Sequence, residues 1–341
     1  VSRLYHIINS KMDILTYQDI LYNICLYLNV YDLVKMTLVS KSIRDNVRKN
    51  KWNHFVVRIK SDKMLNLMLE NYFFKRFDLS GTDVTNKSIK RLHDCYKIDL
   101  DSCKKISDVG ILSLVNCKKL NLAHTKITNK SVCKLINCTE LNLTGTNITD
   151  VSVCKLTKCK KIYLGFTHIT DKSILKLKNC DTLWAPDTNI TDKSVSELGN
   201  VNHLNISKTY ITDECIKYLT KCRELDISEN ELSDDAISVL GNCHSLRIAE
   251  TGIIGSCLSK LVNCVNLDIS DNPISDEYII EPFNCNKIDI MGTYISDASI
   301  LKFANCKNIG ISDEITENGK YILKSGGLLV RRNGVYNLVL K

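Results

Sequence analysis

The feature that most restricts this chain is a period of 21 residues. The pair Leu120-x-Leu122 recurs as Leu141-x-Leu143, Ile162-x-Leu164, Leu183-x-Ala185, Leu204-x-Ile206, Leu225-x-Ile227, Leu246-x-Ile248, Leu267-x-Ile269, Ile288-x-Ile290 and Ile309-x-Ile311, nine consecutive steps without a slip. Ile98-x-Leu100 and Phe77-x-Leu79 extend the series upstream to twelve units with one step of 22, and Val57-x-Ile59 reads as a degenerate thirteenth. Apolar residues at alternate positions make a short strand with one buried face. In the unit 138–158, the Thr146 hydroxyl is placed to bond the turning backbone, a slot that Asn230 and Asn272 fill elsewhere. Thr149-Asp150 then supplies a helix N-cap, and Val153 and Leu156 form one apolar stripe of a short helical turn. A unit this short cannot bury a core by itself, whereas stacked units can. The predicted fold class is therefore an α/β solenoid.

Composition sharpens this. With 341 residues, 44% hydrophobic and 25% charged, the chain can bury a sizeable core, which excludes intrinsic disorder. No apolar run is long enough to span a membrane, and the first residues lack the apolar stretch of a secretory signal. Of the net +8, residues 1–60 carry +6 (ten Lys and Arg against four Asp and Glu), leaving +2 for the rest. That average argues against nucleic acid as a partner. Arg44, Arg48, Lys49 and Lys51 read as a solvated face, with an acidic partner or nucleic acid held by this basic module as the alternative.

Ten of the sixteen cysteines (95, 117, 138, 159, 180, 222, 243, 264, 285 and 306) share one phase of the repeat, and Val201 fills the slot where Cys is missing. The position therefore asks for a small apolar side chain, which a buried thiol provides. Zinc would need two close pairs converging on one point, and these cysteines repeat along the stack instead. The rung spacing of about 4.8 Å does not by itself exclude a disulfide. An unbroken thiol column nevertheless favours a reducing compartment, cytoplasmic or nuclear. Glycine-rich phosphate loops, G-x-S-x-G and His-Glu-x-x-His are all missing, and the seven His scatter through unrelated contexts. The expectation is a protein without enzymatic activity, metal or cofactor.

Ile98-Asp-Leu100-Asp-Ser-Cys103-Lys-Lys-Ile106-Ser107-Asp108 resembles the cysteine-containing repeats of F-box/leucine-rich-repeat proteins. Most other units keep Ile-(Ser/Thr)-Asp but use Thr with one residue fewer, and Ile253-Ile-Gly255 drops the cap. The first sixty residues lose the 21-residue period. Ile20, Ile24 and Leu28 follow helical spacing, Asp32 can cap a second helix leading to Leu33, Met36 and Val39-Ser40, and Ile43 and Val47 mark a third ending near Trp52. This stretch resembles an F-box, with Thr16-Tyr17 in place of the usual Leu-Pro and Ile43 in place of the usual Trp. The resemblance implies a leucine-rich-repeat horseshoe of about twelve repeats preceded by a three-helix module. It divides the chain into that module (1–52), a linker and N-terminal capping repeat (53–76), repeats (77–323) and a C-terminal cap (324–341). It further implies an adaptor that docks on the Skp subunit of a cullin–RING ubiquitin ligase through Leu15, Ile20, Ile24, Leu28, Leu33 and Val39. The same apolar residues also suit the core of the module, and both readings stand together. A vestigial F-box on an interaction scaffold, or a competitor for host ligase subunits, is the alternative. The Asn-, Lys- and Ile-rich composition points to an AT-rich genome such as that of a large DNA virus.

In such a solenoid the strands line the concave face, and the residue between the two apolar strand positions points out. Most members of that column are small or polar, but Tyr163 and Trp184 are large and adjacent, with Phe166 and His203 beside them. They read either as an interface hot spot for a client protein or, for Trp184, as repair of a strand distorted by Pro186. Arg247, with Glu224, Asp226, Asp268 and Asp289, reads as a mixed polar rim or as a solvated surface. At the C-terminus, Asn333-Gly334 between apolar runs predicts a β-hairpin cap.

Overall fold

Each apolar pair becomes a three-residue strand, and strands 21 residues apart lie side by side. The computed structural model describes residues 21–25, 27–325, 329–332 and 335–337. The chain divides into two compact units, Val1–Ile127 and Thr128–Lys341. In the second unit, strands Glu140–Asn142, Lys161–Tyr163, Thr182–Trp184, His203–Asn205 and Glu224–Asp226 pair in parallel, followed by Ser245–Arg247, Asn266–Asp268, Lys287–Asp289 and Asn308–Gly310. The register never slips, so Leu141 lies opposite Ile162 and Ile162 opposite Leu183. Leu329–Arg332 adds to the last of these in parallel and pairs antiparallel with Val335–Asn337. The Asn333-Gly334 turn expected between them lies outside the described residues. Behind the strands, Leu141, Leu143, Ile148, Val153 and Leu156 of one rung are fully buried. Burying such side chains contributes about 1.5–3 kcal/mol each.

Two polar devices join the rungs. The first lies just after the strand. Thr146 donates its hydroxyl to the Leu143 carbonyl, and Thr167, Thr188 and Thr209 do the same three residues back in their own rungs. Asn does more than Thr. The Asn230 amide donates to the carbonyls of Ile227 and Ser228 and reaches Ile206 in the previous rung at 3.1 Å, while its oxygen accepts from the Thr209 N–H at 2.9 Å.

The second device lies at the helix start. Thr149, Thr170, Thr191 and Thr212 are N-caps, each hydroxyl accepting from the N–H two residues on. The aspartate that follows reaches the next rung. Asp150 accepts from the Thr170 N–H at 2.9 Å, the Thr170 hydroxyl at 2.7 Å and the Ser173 hydroxyl. Asp171, Asp192 and Asp276 repeat this towards Thr191, Thr212 and Ser296. Where the cap is missing, Asp234 accepts directly from the N–H groups of Ile254, Gly255 and Cys257, at 2.9, 2.9 and 3.0 Å. Burial alone would raise these carboxyls, but the hydroxyl and amide donors outweigh it. They hold Asp150, Asp192, Asp234 and Asp276 below the usual carboxylate range.

The thiols behave as small buried donors. Cys159 donates to the Cys138 carbonyl at 3.3 Å and Cys180 to the Cys159 carbonyl at 3.1 Å. Burial pushes the Cys159 thiol up to about 12 and Cys180 to about 11. All sixteen cysteines are free, and only Cys133 and Cys154 are partly exposed.

In the first unit, the helical segment 21–25 precedes α1 (Val30–Met36), α2 (Lys41–Lys49) and α3 (Asp62–Asn71). The cap of α1 is Asn29 rather than Asp32: its side-chain oxygen accepts from the Asp32 N–H at 2.9 Å. Ser40 caps α2. Trp52 is buried and donates its indole N–H to the Val47 carbonyl at 2.8 Å. From Trp52 a chain of ring contacts runs through Phe55 and Phe74 to Phe77, tying the helices to the first rungs of this unit. Val57–Arg58 pairs in parallel with Arg76–Asp78, placing Val57 opposite Phe77, followed by Lys97–Asp99 and Lys119–Asn121.

Two outcomes are expected. Because the relay carboxyls are depressed in the folded state, their contribution is complete above the unfolded carboxylate value near pH ~4 and disappears as the pH falls through the folded values. Urea midpoints should therefore drop on acidification. Asp234→Ala, which strands three N–H groups, should lower stability at neutral pH by about 2–3 kcal/mol and flatten that acid response, whereas exposed Asp235→Ala should change neither. Second, Ellman's reagent should titrate two of the sixteen thiols, Cys133 and Cys154, in the folded protein and all sixteen in denaturant.

Candidate functional site

The outward column of the strands carries a structural task of its own. Asn142 accepts from the Thr144 N–H at 3.0 Å and Asn205 from the Ser207 N–H at 3.0 Å. Asp226, Asp268 and Asp289 serve Ser228, Ser270 and Met291 in the same way, and in the first unit Asp78, Asp99 and Asn121 serve Ser80, Asp101 and Ala123. The N–H of that i+2 residue points away from the sheet ladder, so an Asx acceptor at the column satisfies it. The acidic and amide residues of the column thus hold the chain as it leaves the strand.

The column departs from Asp or Asn at Tyr163, Trp184, Arg247 and Gly310. Two of these departures, Trp184 and Arg247, are compensated. After Trp184 the i+2 residue is Pro186, which has no N–H. After Tyr163 it is Gly165, and a Cβ there would lie 2.8 Å from the Pro186 ring. After Arg247 it is Ala249, whose N–H is taken by the Ser228 hydroxyl of the neighbouring rung at 3.1 Å. Pro186 causes no distortion: Thr182–Trp184 stays in register with both neighbours, and the Pro186 carbonyl accepts from the Phe166 N–H at 3.0 Å. Trp184 therefore has no irregular strand to repair. It is 43% exposed and meets Tyr163 edge to face, 5.7 Å between ring centres. Burial, and then the charge of Glu140, raise the Tyr163 phenol.

His203 lies on the same face with its Nδ1 2.8 Å from Glu224 Oε2. Arg247 sits between Asp226 and Asp268, 3.8 and 3.4 Å away, and Asn205 donates to Asp226 at 2.9 Å. Asn205, Asp226, Arg247 and Asp268 form one network over four rungs, with the His203–Glu224 pair on the same face. Phe166 is placed apart from the aromatic pair. It occupies the left-handed turn slot (φ 56°) and lines a groove of about 420 Å³ with His168, Asp187 and Tyr210. The structure thus brings Tyr163 to Trp184 and Arg247 to its aspartates, with Phe166 on the far side of the turn.

Of the residues expected to dock a Skp subunit, Leu15 and Ile20 lie outside the described residues. Leu33 is fully buried, so it is a core residue of the helical module and presents no surface; its helix packs inward against α2. Ile24 and Leu28 are half-buried and Val39 is exposed. Sequence reasoning missed Tyr27, Tyr31 and Leu38, which like Val39 are exposed. Helical spacing identifies an apolar face without saying which residue is covered.

Among the described residues, no group of His, Cys, Asp and Glu side chains gathers to hold a metal ion, and no helix is long and apolar enough to cross a membrane. Fold and outward column together define a leucine-rich-repeat solenoid. Solved structures agree on the fold. An internalin (inlF) from Listeria monocytogenes superposes with a TM-score of 0.53 at 17% identity, over 77% of this chain and 92% of that one. TLR13, in a complex with ssRNA13, gives 0.53 at 15% identity over 85% of this chain and 52% of its own, and a TDR receptor gives 0.50 at 13% over 85% and 61%. No protein-family model and no curated protein matches the sequence.

The Trp184–Pro186–Gly165 coupling separates surface from scaffold. Trp184→Ala should stay within about 0.5–1 kcal/mol of the parent in urea unfolding, since no hydrogen bond depends on the ring. Gly165→Ala should cost about 1–3 kcal/mol by forcing a Cβ against the Pro186 ring, and adding Pro186→Ala should recover part of that loss.

Proposed function

We propose that this protein is a non-catalytic recognition adaptor: its repeat face holds a client protein, and its N-terminal helical module docks on the Skp subunit of a cullin–RING ubiquitin ligase. The observation that carries client binding is the compensated departure of Trp184 and Arg247 from the structural Asp/Asn column, with Tyr163 packed edge to face on Trp184. A side chain such as Trp184, exposed in mid-array and with no strand hydrogen bond depending on it, is free to be selected for a partner. Docking on the ligase rests on the F-box resemblance, together with the exposed apolar surface of Tyr27, Tyr31, Leu38 and Val39 on the module. The adaptor would act by raising the local concentration of client lysines near the conjugating enzyme, without bond chemistry of its own. The alternative scaffold reading draws on the ring chain from Trp52 to Phe77, which makes the helical module a cap for the first rungs whether or not it binds a partner.

The test is calorimetric titration of the protein with a eukaryotic Skp subunit. Leu38→Asp, at an exposed position, should abolish binding while thermal unfolding stays unchanged. Leu33→Asp would be uninformative, because it breaks the core. Absence of binding by the folded parent would leave the scaffold reading.

A further inference from the structure

The average charge of the repeats conceals a local extreme. Residues 155–178 hold seven Lys against one acidic residue, Asp171, whose carboxylate is committed to Thr191 and Ser194. Residues 181–301 hold twenty Asp and Glu against eight Lys and Arg. The negative excess outweighs the positive one, and Lys and Arg elsewhere in residues 61–341 bring the sum to +2, which is why the array looks bland on average.

The lysines have a common geography. Lys155 follows the helix Asp150–Val153, Lys158 and Lys160 lie on the approach to the strand, and Lys161 opens the strand two residues before Tyr163, hence on the same face. One rung on, Lys176 matches Lys155 and Lys178 matches Thr157, beside Asn179, while the match to Lys160 is Asp181. All six are exposed. Lys158, Lys160 and Lys178 line a shallow groove of about 530 Å³ with Asn179 and Asn200. Among the described residues, Lys178 alone of the six forms an ion pair, with Glu197 at 3.4 Å. The stripe runs across the stack, from the helix end over the edge onto the sheet, and stops at the Tyr163–Trp184 pair. Apart from Lys134, the rung before it offers Asn137, Thr139 and Glu140 at the matching positions, and the rung after it offers Glu197, Asn200 and Asn202.

We propose that this stripe and the aromatic pair form one site for a short acidic polypeptide segment, with its Asp or Glu side chains on the lysines and an adjacent apolar side chain on Trp184. The proposal rests on the reading that this face binds a protein client, and it assigns that client's chemistry. Charge complementarity selects the acidic segment. The dimensions select polypeptide over nucleic acid. Two rungs span about 10 Å, whereas single strands occupy roughly 4–16 nucleotides on a binding fold. A phosphodiester chain of that length would run onto Glu140, Asp181, Glu197 and Glu224. All the cations are lysines, without the guanidinium fork that grips phosphate in two places.

The test is selection from a random peptide library displayed on phage. The library is panned against the full chain, against Lys158→Glu/Lys160→Glu and against Trp184→Ala, each first shown to unfold at the parent temperature. The parent should enrich runs of Asp and Glu beside an aromatic or aliphatic residue. A synthesised winner should bind about tenfold or more weakly to the double-lysine variant, weaken in high salt, and lose its apolar preference with Trp184→Ala. Peptides without acidic bias, or selection unchanged by the lysine reversals, would overturn the proposal while leaving client binding at Trp184 standing. Displacement of bound peptide by oligouridylate at lower concentration than by free peptide would transfer the site to nucleic acid and overturn it as well. Failure of the parent to enrich any peptide would overturn both the acidic site and the client-binding face.

Discussion

Everything in this fold depends on polar groups of one rung being satisfied by the rung beside it. A helix of four residues cannot stand alone, since nucleation is unfavourable and its first N–H groups have no partner within the helix. Here the missing acceptor comes from the previous unit. Asp150 meets the N–H and hydroxyl of Thr170 and the hydroxyl of Ser173, and Asp171 meets the next set. The parallel ladder performs the same service for the strands. Each unit is thus folded by its neighbour, which is what makes such an array quasi-one-dimensional.

The two devices also cover for each other. The rung containing Ile253-Ile-Gly255 has lost its hydroxyl cap. Asp234 reaches past the vacant slot to three backbone N–H groups, and Asn272 accepts from the N–H groups of Thr251 and Gly252 just upstream. Asn at the turn slot accepts from backbone N–H groups of the previous rung and donates to its carbonyl, which the Thr hydroxyls at this slot do not do. Its appearance next to the defective rung supplies the cross-rung bonds a Thr could not make.

Much of this is legible in one dimension. A period of 21 fixes register, so the strand positions, the Thr146 hydroxyl and the buried thiol column follow from spacing alone. What spacing cannot show is where a side chain finds its partner. Thr149-Asp150 reads as a single cap, yet the two residues serve different rungs. Asp226 and Asp268 read as surface charge, and their bonds to Ser228 and Ser270 emerge only once the sheet shows that those N–H groups lie outside the ladder. Leu33 and Val39 share an apolar pattern, but one is fully buried and the other 39% exposed, a difference set by packing against α2. The lysine stripe was hidden by arithmetic, because a sum over the array erased a gradient within it.

These constraints tell where such a chain is able to specialise. Its inward positions are closed by packing, its relay aspartates by the next rung's helix, and most of its outward column by the Asx bond to residue i+2. A large side chain can enter that column at low cost only when the i+2 N–H is removed or satisfied elsewhere. Trp184 comes with Pro186, Pro186 requires Gly165 beneath it, and Gly165 follows Tyr163. Arg247 comes with Ala249, whose N–H is covered by Ser228. Each departure is therefore a set of coordinated residues spread over two rungs rather than a single exchange. A random substitution would leave a polar group unmet. The coordination of those sets separates Trp184 and Arg247 from incidental surface, and it places recognition, with Tyr163 packed beside Trp184, where the repeat's own bonding rule has been lifted.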